Sequence, residues 1–553
     1  MTTSTDAERA STAPSDAAAA APPWWKTGVI YQVYPRSFQD SDGDGVGDLA
    51  GIRARLGHLV ELGVDAVWIS PVYPSPMADF GYDVTDYTDI DPLFGTLADL
   101  DALLEAAHAR GLKVLMDFVP SHSSVEHPWF AESRRSRDDP KRDWYVWRDP
   151  GPDGGPPNNW PSEFGGPAWT RDERTGQYYL HFFLPEQPSL NWRNAEVRDA
   201  MLSAMRFWLD RGVDGFRIDA FHLLVADERL RDNPPNPEWR DGRSPEGASP
   251  ARRLARTHTA HQPETYAVGV AMRELAAAYE PERVLIVETA GSLEELAAYH
   301  GPELNAFQLP FNFRLLTLAW EARAIADHVE LYEASLPEGA WPNWVLGNHD
   351  ISRVASRIGE RQAPVAAMLL LTLRGTPTIY QGEELGMTDV PIPPDAVQDP
   401  WERNVPGLGL GRDPVRTPMP WTAEEGGGFT TGEPWLPLNA DLAVRNVASQ
   451  SLAPDSMLSL YRRLLALRRR EPALAIGDYR LIEVGEEVLV YARSHAGRRL
   501  LVALNLGAGR RDTGIVSRHA SVLLSTDPDR GGSIDGPLRL APAEGVVLVR
   551  TDP

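Results

Sequence analysis

A chain of 553 residues, 42% hydrophobic and 24% charged, is ordinary water-soluble globular material and too long for one ordinary core. Its formal net charge of -24 opposes phosphate backbones and anionic membranes, so neither nucleic acid nor a membrane is expected as a partner. The absence of cysteine removes disulfides, thiolate zinc sites and cysteine nucleophiles together, and no apolar run approaches the ~18 residues a spanning helix needs.

Residues 1–23 are mostly Ala, Ser, Thr and Pro with Asp6, Glu8 and Asp16 among them. They lack the basic start and apolar centre of a secretion signal, which predicts a disordered tail and a cytoplasmic protein. From Thr27 onward, short β-like runs alternate with amphipathic helix-like runs. The predicted strands are residues 29–34, 66–70, 114–119, 215–219, 284–288, 306–311, 343–346 and 378–381, and the clearest helices 49–62, 97–109, 196–210, 268–279, 293–299 and 364–373. Eight strands alternating with helices predict an α/β fold, a closed (β/α)8 TIM barrel whose working face lies at the C-terminal ends of the strands. The alternation stops between residues 120 and 193, a segment rich in Pro, Gly, Trp and charge. So long a structureless loop is improbable, and a small inserted domain over the barrel mouth is expected. The barrel is therefore assigned to 24–119 and 194–472. Strand-like runs at 480–484, 488–492, 500–505 and 545–550 predict an all-β sandwich domain over 473–553.

In the fourth strand Arg217 and Asp219 stand two residues apart and so project from one face. Taken alone they are either a structural ion pair or a carboxylate kept ionised and aimed by a fixed cation. Glu288 ends the fifth strand and Asp350 follows the seventh, beside His349. A charge at the end of an apolar run is expensive unless it is used or paired. Three carboxylates at one mouth push one another's protonation apart, as glycoside hydrolysis requires of its acid and its nucleophile. Tyr82, Asp83 and His122, after the second and third strands, are either satisfied loop residues or the fixed donors, acceptors and stacking ring of a hydroxyl-rich ligand. The 17 tryptophans and 16 tyrosines suit a sugar cleft as well as a core.

The run Asp40-Ser-Asp-Gly-Asp-Gly-Val-Gly-Asp48 spaces carboxylates at alternate positions. Asp40, Asp42, Asp44 and Asp48 with the Val46 carbonyl suit a structural Ca²⁺ or Mg²⁺, the other reading being a solvated acidic turn. The run is similar to the first nine positions of an EF-hand loop, but Gly51 at the twelfth cannot supply the bidentate carboxylate.

In combination, Tyr31-Gln-Val-Tyr-Pro-Arg-Ser-Phe38, Gly81-Tyr-Asp83, Gly215-Phe-Arg-Ile-Asp219, Glu288, Gly347-Asn-His-Asp350, Tyr380-Gln-Gly-Glu-Glu384 and Arg416-Thr-Pro-Met419 resemble the α-amylase superfamily of glycoside hydrolases, in its α-glucosidase and oligo-1,6-glucosidase branch. The resemblance implies a retaining mechanism with Asp219 as nucleophile, Glu288 as acid/base and Asp350 as stabiliser of the distorted sugar. It also implies that Arg217 orients Asp219, that His122 and His349 bind sugar hydroxyls, that Asp83 and Arg416 close the far end of the pocket, and that the Asp40–Asp48 loop is the family's cation site. No organic cofactor is implied. The expected substrate is a short α-glucoside, with transfer to another sugar, as in a trehalose synthase or transglucosylase, as the same-fold rival. A non-catalytic binding protein is disfavoured because all three carboxylates are present. Ser121 stands where the family usually has Asn, so a second cation site is not expected. Gln187-Pro-Ser-Leu-Asn191, Val287 and Ala220 also depart from the branch pattern and leave the linkage open. The residues do not address oligomeric state.

Overall fold

The computed structural model describes residues 21–239 and 249–550. The expected tail, 1–23, lies outside them except for its last three positions. Three barrel strands come first: β1 Ile30–Val33, β2 Ala66–Ile69 and β3 Lys113–Phe118. Three short strands of an insertion follow, β4 Trp147–Arg148, β5 Trp169–Arg171 and β6 Tyr178–Leu180. The barrel then resumes with β7 Gly215–Ile218, β8 Val284–Val287, β9 Leu309–Pro310, β10 Asn343–Val345 and β11 Thr376–Tyr380. The eight barrel strands pair in the order β10-β11-β1-β2-β3-β7-β8-β9, and a parallel bridge from Asn312 to Trp344 brings the end of β9 to β10. This is the predicted α/β barrel.

Every residue of β1, β2, β7, β8 and β11 is buried, because the barrel interior takes one face and the surrounding helices take the other. Capping sets where the chain enters the helices. Asp48 accepts from Gly51 N at 2.7 Å to start Leu49–Leu62, Thr96 and Asp99 form a capping box for Leu97–His108, and Asn194 caps Ala195–Asp210. The sixth barrel strand is two residues long, shorter than the predicted 306–311. Before it, the side chain of Gln308 takes over the pairing: its Oε1 accepts from Leu285 N at 2.9 Å and its Nε2 donates to Arg283 O at 2.9 Å.

Between β3 and β7 the insertion forms a three-stranded antiparallel sheet, in the order β4-β6-β5. Its aromatic core of Trp160, Trp169, Tyr178 and Phe182 also takes in Leu223 and Ala260 from the loops after β7, which seats the insertion over the barrel mouth. The C-terminal domain holds β12 Asp478–Val484, β13 Val488–His495, β14 Arg498–Asn505, β15 Arg511–Ser525, β16 Ser533–Leu540 and β17 Gly545–Arg550. The expected sandwich takes the form of one six-stranded antiparallel sheet, β12-β13-β14-β17-β15-β16. Tyr491, Val502 and Val547 join the main core with Met368 and Leu371 of the barrel helix Ala363–Thr372, while Val490, Leu538 and Val546 form a smaller core of their own. Among the described residues no helix is long and apolar enough to cross a membrane.

Candidate active site

Strand register builds the site. β3 and β7 run parallel with Asp117 paired to Arg217, and β7 lies against β8 so closely that a Cβ on Gly215 would stand 2.0 Å from Val284 O. Only glycine permits that approach, and it brings Asp219 and Glu288 together at adjacent strand ends. Arg217, 1% exposed, is the hub. Its Nη1 donates to Asp117 Oδ1 at 2.8 Å and Asp219 Oδ1 at 2.7 Å, and its Nη2 lies 2.7 Å from Glu288 Oε2. Ala220 N donates to Glu288 Oε2 at 2.9 Å, which fixes the glutamate's head.

Three carboxyl groups on one guanidinium cannot all ionise freely. Burial, with Glu288 and Asp117 nearby and Arg217 opposing, raises Asp219 well above the usual carboxylate range. Burial likewise pushes Asp117 up to about 6 against the pull of Arg217. Asp117 and Asp219 are thus harder to ionise than free carboxyl groups. Asp350 is the opposite case. Burial works to raise it, but His349, Arg412 and Arg416 outweigh burial and hold it well below the usual range. Arg416 Nη2 donates to Asp350 Oδ1 at 2.9 Å, and Asn348 Oδ1 accepts from Asp350 N at 3.0 Å to shape the loop.

These groups open on a cavity of about 610 Å³ lined by Asp219, Glu288, Asp350, Tyr82, His122 and His349, with other residues of the mouth. Tyr82 Oη lies 2.8 Å from His349 Nε2, and the two rings stack with centroids 5.6 Å apart. His122 lies 3.0 Å from Tyr82 O and 3.1 Å from Gln187 Nε2. Burial lowers His122 to about 4 and His349 to about 3, so both rings are neutral near pH 7.

Two expected pocket residues are not at the cavity. Asp83 is fully buried behind it, accepting from Ser75 Oγ at 2.8 Å, Ala78 N at 2.9 Å and Asp79 N at 3.0 Å, and burial pushes it up to about 6. It folds the loop that presents Asp79, and Asp79 is the acid on the cavity wall. Arg416 is likewise buried behind Asp350, while Arg412 lines the wall and donates to Asp79 Oδ1 at 2.7 Å. Both corrections have one cause: the outer residue of each motif turns inward to satisfy the loop. Asp117 was legible as a charge inside the apolar run Val-Leu-Met-Asp-Phe, whereas Asp79 and Arg412 carry no such signal. On the same wall Arg256 binds Glu163 of the insertion and lies 3.1 Å from His222 Nε2.

The aspartate loop lies outside the cavity lining. One oxygen each from Asp40, Asp42 and Asp48 converge within 4.8 Å. Asp44 is not in that group; its Oδ1 accepts from Val46 N at 2.8 Å. Asp40 is braced by Asp42 N, Gly43 N, Gly45 N and Thr430 Oγ1. An all-oxygen, anionic set of this kind fits a hard divalent cation.

Residues 32–477 match the family model described as alpha amylase, catalytic domain, and residues 480–548 match a domain of unknown function. The chain belongs to the alpha-amylase family of glycoside hydrolases. A probable alpha-glucosidase of Rhizobium meliloti (strain 1021) is 43% identical over 87% of this chain and 89% of its own. An oligo-1,6-glucosidase of Heyndrickxia coagulans is 41% identical over 87% and 92%. Among solved structures, the alpha-glucosyl transfer enzyme XgtA superposes with TM-score 0.91 at 44% identity, covering 96% of this chain and all of that one. The trehalulose synthase MutB of Pseudomonas mesoacidophila MX-45 gives 0.86 at 34% with the same coverage. Similarity to alpha-amylase family members thus extends through the barrel, insertion and C-terminal sheet.

Proposed function

We propose that the protein is a retaining, exo-acting α-glucosidase that releases glucose from the non-reducing ends of short α-glucosides, with maltose and malto-oligosaccharides favoured. The observation that carries this reading is the clamp of Asp219 and Glu288 on the two terminal nitrogens of one guanidinium, each at 2.7 Å. Retaining enzymes keep nucleophile and acid about 5–5.5 Å apart, whereas inverting ones leave room for water between them. Asp219 attacks the anomeric carbon while Glu288 protonates the departing oxygen. Glu288 is the one placed to reach the departing oxygen, because its side chain at 20% exposed is more open than that of Asp219 at 9%. Glu288 then takes a proton from water as water attacks the glucosyl ester on Asp219. Asp350, held ionised, faces the positive charge that develops on the ring. His122, His349 and Tyr82 contact the first sugar, and Asp79 with Arg412 hold its far end, with Asp83 and Arg416 bracing them from behind.

Asp40, Asp42 and Asp48 would hold a Ca²⁺ or Mg²⁺, which ties the loop between β1 and the helix Leu49–Leu62. Its role is structural.

Transfer of glucose to another hydroxyl is the second reading, supported by the similarity to the alpha-glucosyl transfer enzyme. Incubation with maltose decides between them. Release of free glucose, first as the α-anomer, is the expected result; new glucosides as the main product favour transfer, and an initial β-anomer overturns retention.

A further inference from the structure

Beside the cavity a chain of hydrogen bonds runs from β1 to the Arg217 hub, and its far end is a residue that the reaction above does not use. Gln32 is fully buried in β1, and its carbonyl accepts from Gln381 N at 3.1 Å. That bond is made by the main-chain carbonyl; of the side-chain amide, Oε1 is buried without a hydrogen-bond partner, and Nε2 lies 2.8 Å from His349 Nδ1 and donates to Ser70 Oγ at 3.2 Å. At the other side of the imidazole, Tyr82 Oη lies 2.8 Å from His349 Nε2 and donates to Asp117 Oδ2 at 3.2 Å.

The proton directions follow from donor and acceptor chemistry. An ionised Asp117, bonded to Arg217, only accepts, so the single hydroxyl proton of Tyr82 goes to it. The hydroxyl oxygen is then the acceptor for His349, which must carry its proton on Nε2. That nitrogen also faces Asp350 Oδ2 at 3.4 Å. Nδ1 is left with a lone pair and needs a donor, which the Gln32 amide supplies.

We propose that Gln32 is a positioning residue that holds His349 as the neutral tautomer protonated on Nε2, with its N–H turned to Tyr82, Asp350 and the cavity. Gln32 does not line the cavity and acts only through His349. The inference rests on the reading of the cavity as a glucoside site, where a neutral donor is the useful form. The charged groups facing the ring are Asp350, Arg416, Arg217 and Arg412, and Tyr34 and Tyr82 stack against it. An imidazolium among three guanidinium groups would offset Asp350 beside a transition state that is itself cationic.

The test joins a spectroscopic and a kinetic readout. In full-length protein labelled with ¹⁵N-histidine, His349 is identified by comparison with His349→Gln. At pH 7 the wild type should show Nε2 protonated and Nδ1 bare. Gln32→Met, which keeps volume and removes the donor, should shift population to the Nδ1-protonated form. Gln32→Glu should draw a proton to Nδ1 and move the acid limb of kcat on an aryl α-glucoside up by roughly one pH unit. Should Gln32→Met not fold, Ser70→Ala loosens the same amide and should give a smaller shift of the same sign. A wild-type His349 protonated on Nδ1, or a tautomer unchanged in these variants, overturns the proposal; so does an activity loss that tracks Tm with an unmoved pH profile. A wild type that releases no glucose refutes the proposed activity while leaving the tautomer result to stand on its own.

Discussion

Arg412 Nη2 donates to Asp79 Oδ1 at 2.7 Å, joining two residues that are 333 positions apart across one wall of the cavity. The same guanidinium reaches Asp399 Oδ1 at 2.6 Å and Asp350 Oδ1 at 3.4 Å. A sugar hydroxyl held by a charged group contributes about 1.5–3 kcal/mol, so Asp79→Ala should lower kcat/KM for maltose by roughly ten- to a hundredfold. Asp83→Asn, one turn of loop away, should instead lower Tm, because it weakens the acceptor for Ala78 N and Asp79 N, and should leave KM nearly unchanged. Steady-state kinetics with thermal melts on both variants separates them; an equal KM effect at Asp83 would restore it to the pocket.

Much of the barrel was legible because strands buried on both faces read as unbroken apolar runs. The acids that end those runs, Glu288 above all, stand out against them. Asp79 and Arg412 could not be found the same way. Their positions depend on how two loops fold back, and each lies four residues before a motif residue, Asp83 or Arg416, that turns out to brace it. The sixth strand was overcalled because Gln308 substitutes a side-chain amide for ladder pairing, which leaves no trace in apolar periodicity. β15 and β16 were missed because Arg511–Ser525 is largely polar and Ser533–Leu540 contains Gly536 and Pro537, residues that usually mark breaks.

The proposed division of labour between the clamped carboxyls, Glu288 as acid and Asp219 as nucleophile, predicts a dependence on leaving group. Glu288→Gln removes the acid and should cost roughly 10²–10⁴ in kcat/KM on maltose, but far less on a glucoside whose aryl leaving group needs no proton. Asp219→Asn removes the nucleophile and should abolish both reactions alike. Parallel losses in Glu288→Gln on both substrates would reassign the acid.

The aspartate loop predicts a structural response to chelation. Stripping divalent ions with EDTA should lower Tm, and Ca²⁺ or Mg²⁺ should restore it, since a ligand bound only by the folded state stabilises that state. Asp42→Asn should blunt both effects without touching the cavity. An unchanged Tm across EDTA treatment and Ca²⁺ addition would leave the loop as an acidic turn.

Glu383 predicts a signed pH effect. It is buried under Gly347, whose added Cβ would stand 2.2 Å from its Oε1, and burial pushes its carboxyl up to about 8 despite Arg357 and Arg353. A group with a raised folded pKa lends stability fully below its unfolded value, near 4.5, and loses it as pH rises through the folded value. The buried histidines act oppositely. His122 at about 4 and His349 at about 3 lend stability above pH 6.5 that is lost as pH falls. Glu383→Gln should therefore gain on the wild type in Tm as pH rises from 5 to 8, with no further change above that. A constant difference would place the Glu383 carboxyl at its ordinary pKa.

Ala220 tests the acceptor side. It sits between Asp219 and Phe221 with φ 40° and ψ 37°, in the left-handed region that a side chain resists, and its N–H fixes Glu288 while its methyl lines the cavity. Ala220→Gly relieves that conformation at the cost of a freer unfolded chain, so stability should change by no more than about 1 kcal/mol, with the Glu288 contact kept. Ala220→Val places a β-branched residue where φ is positive and adds two carbons at the cavity wall beside the nucleophile. It should lower Tm by more than Ala220→Gly does, and, because in the proposed site the added bulk meets the leaving sugar and not the glucose assigned to Asp79 and Arg412, change the ratio of maltose to isomaltose turnover. A ratio identical in wild type and Ala220→Val, with Tm lowered, would place linkage selection elsewhere on the wall, where Glu163 and Arg256 approach His222.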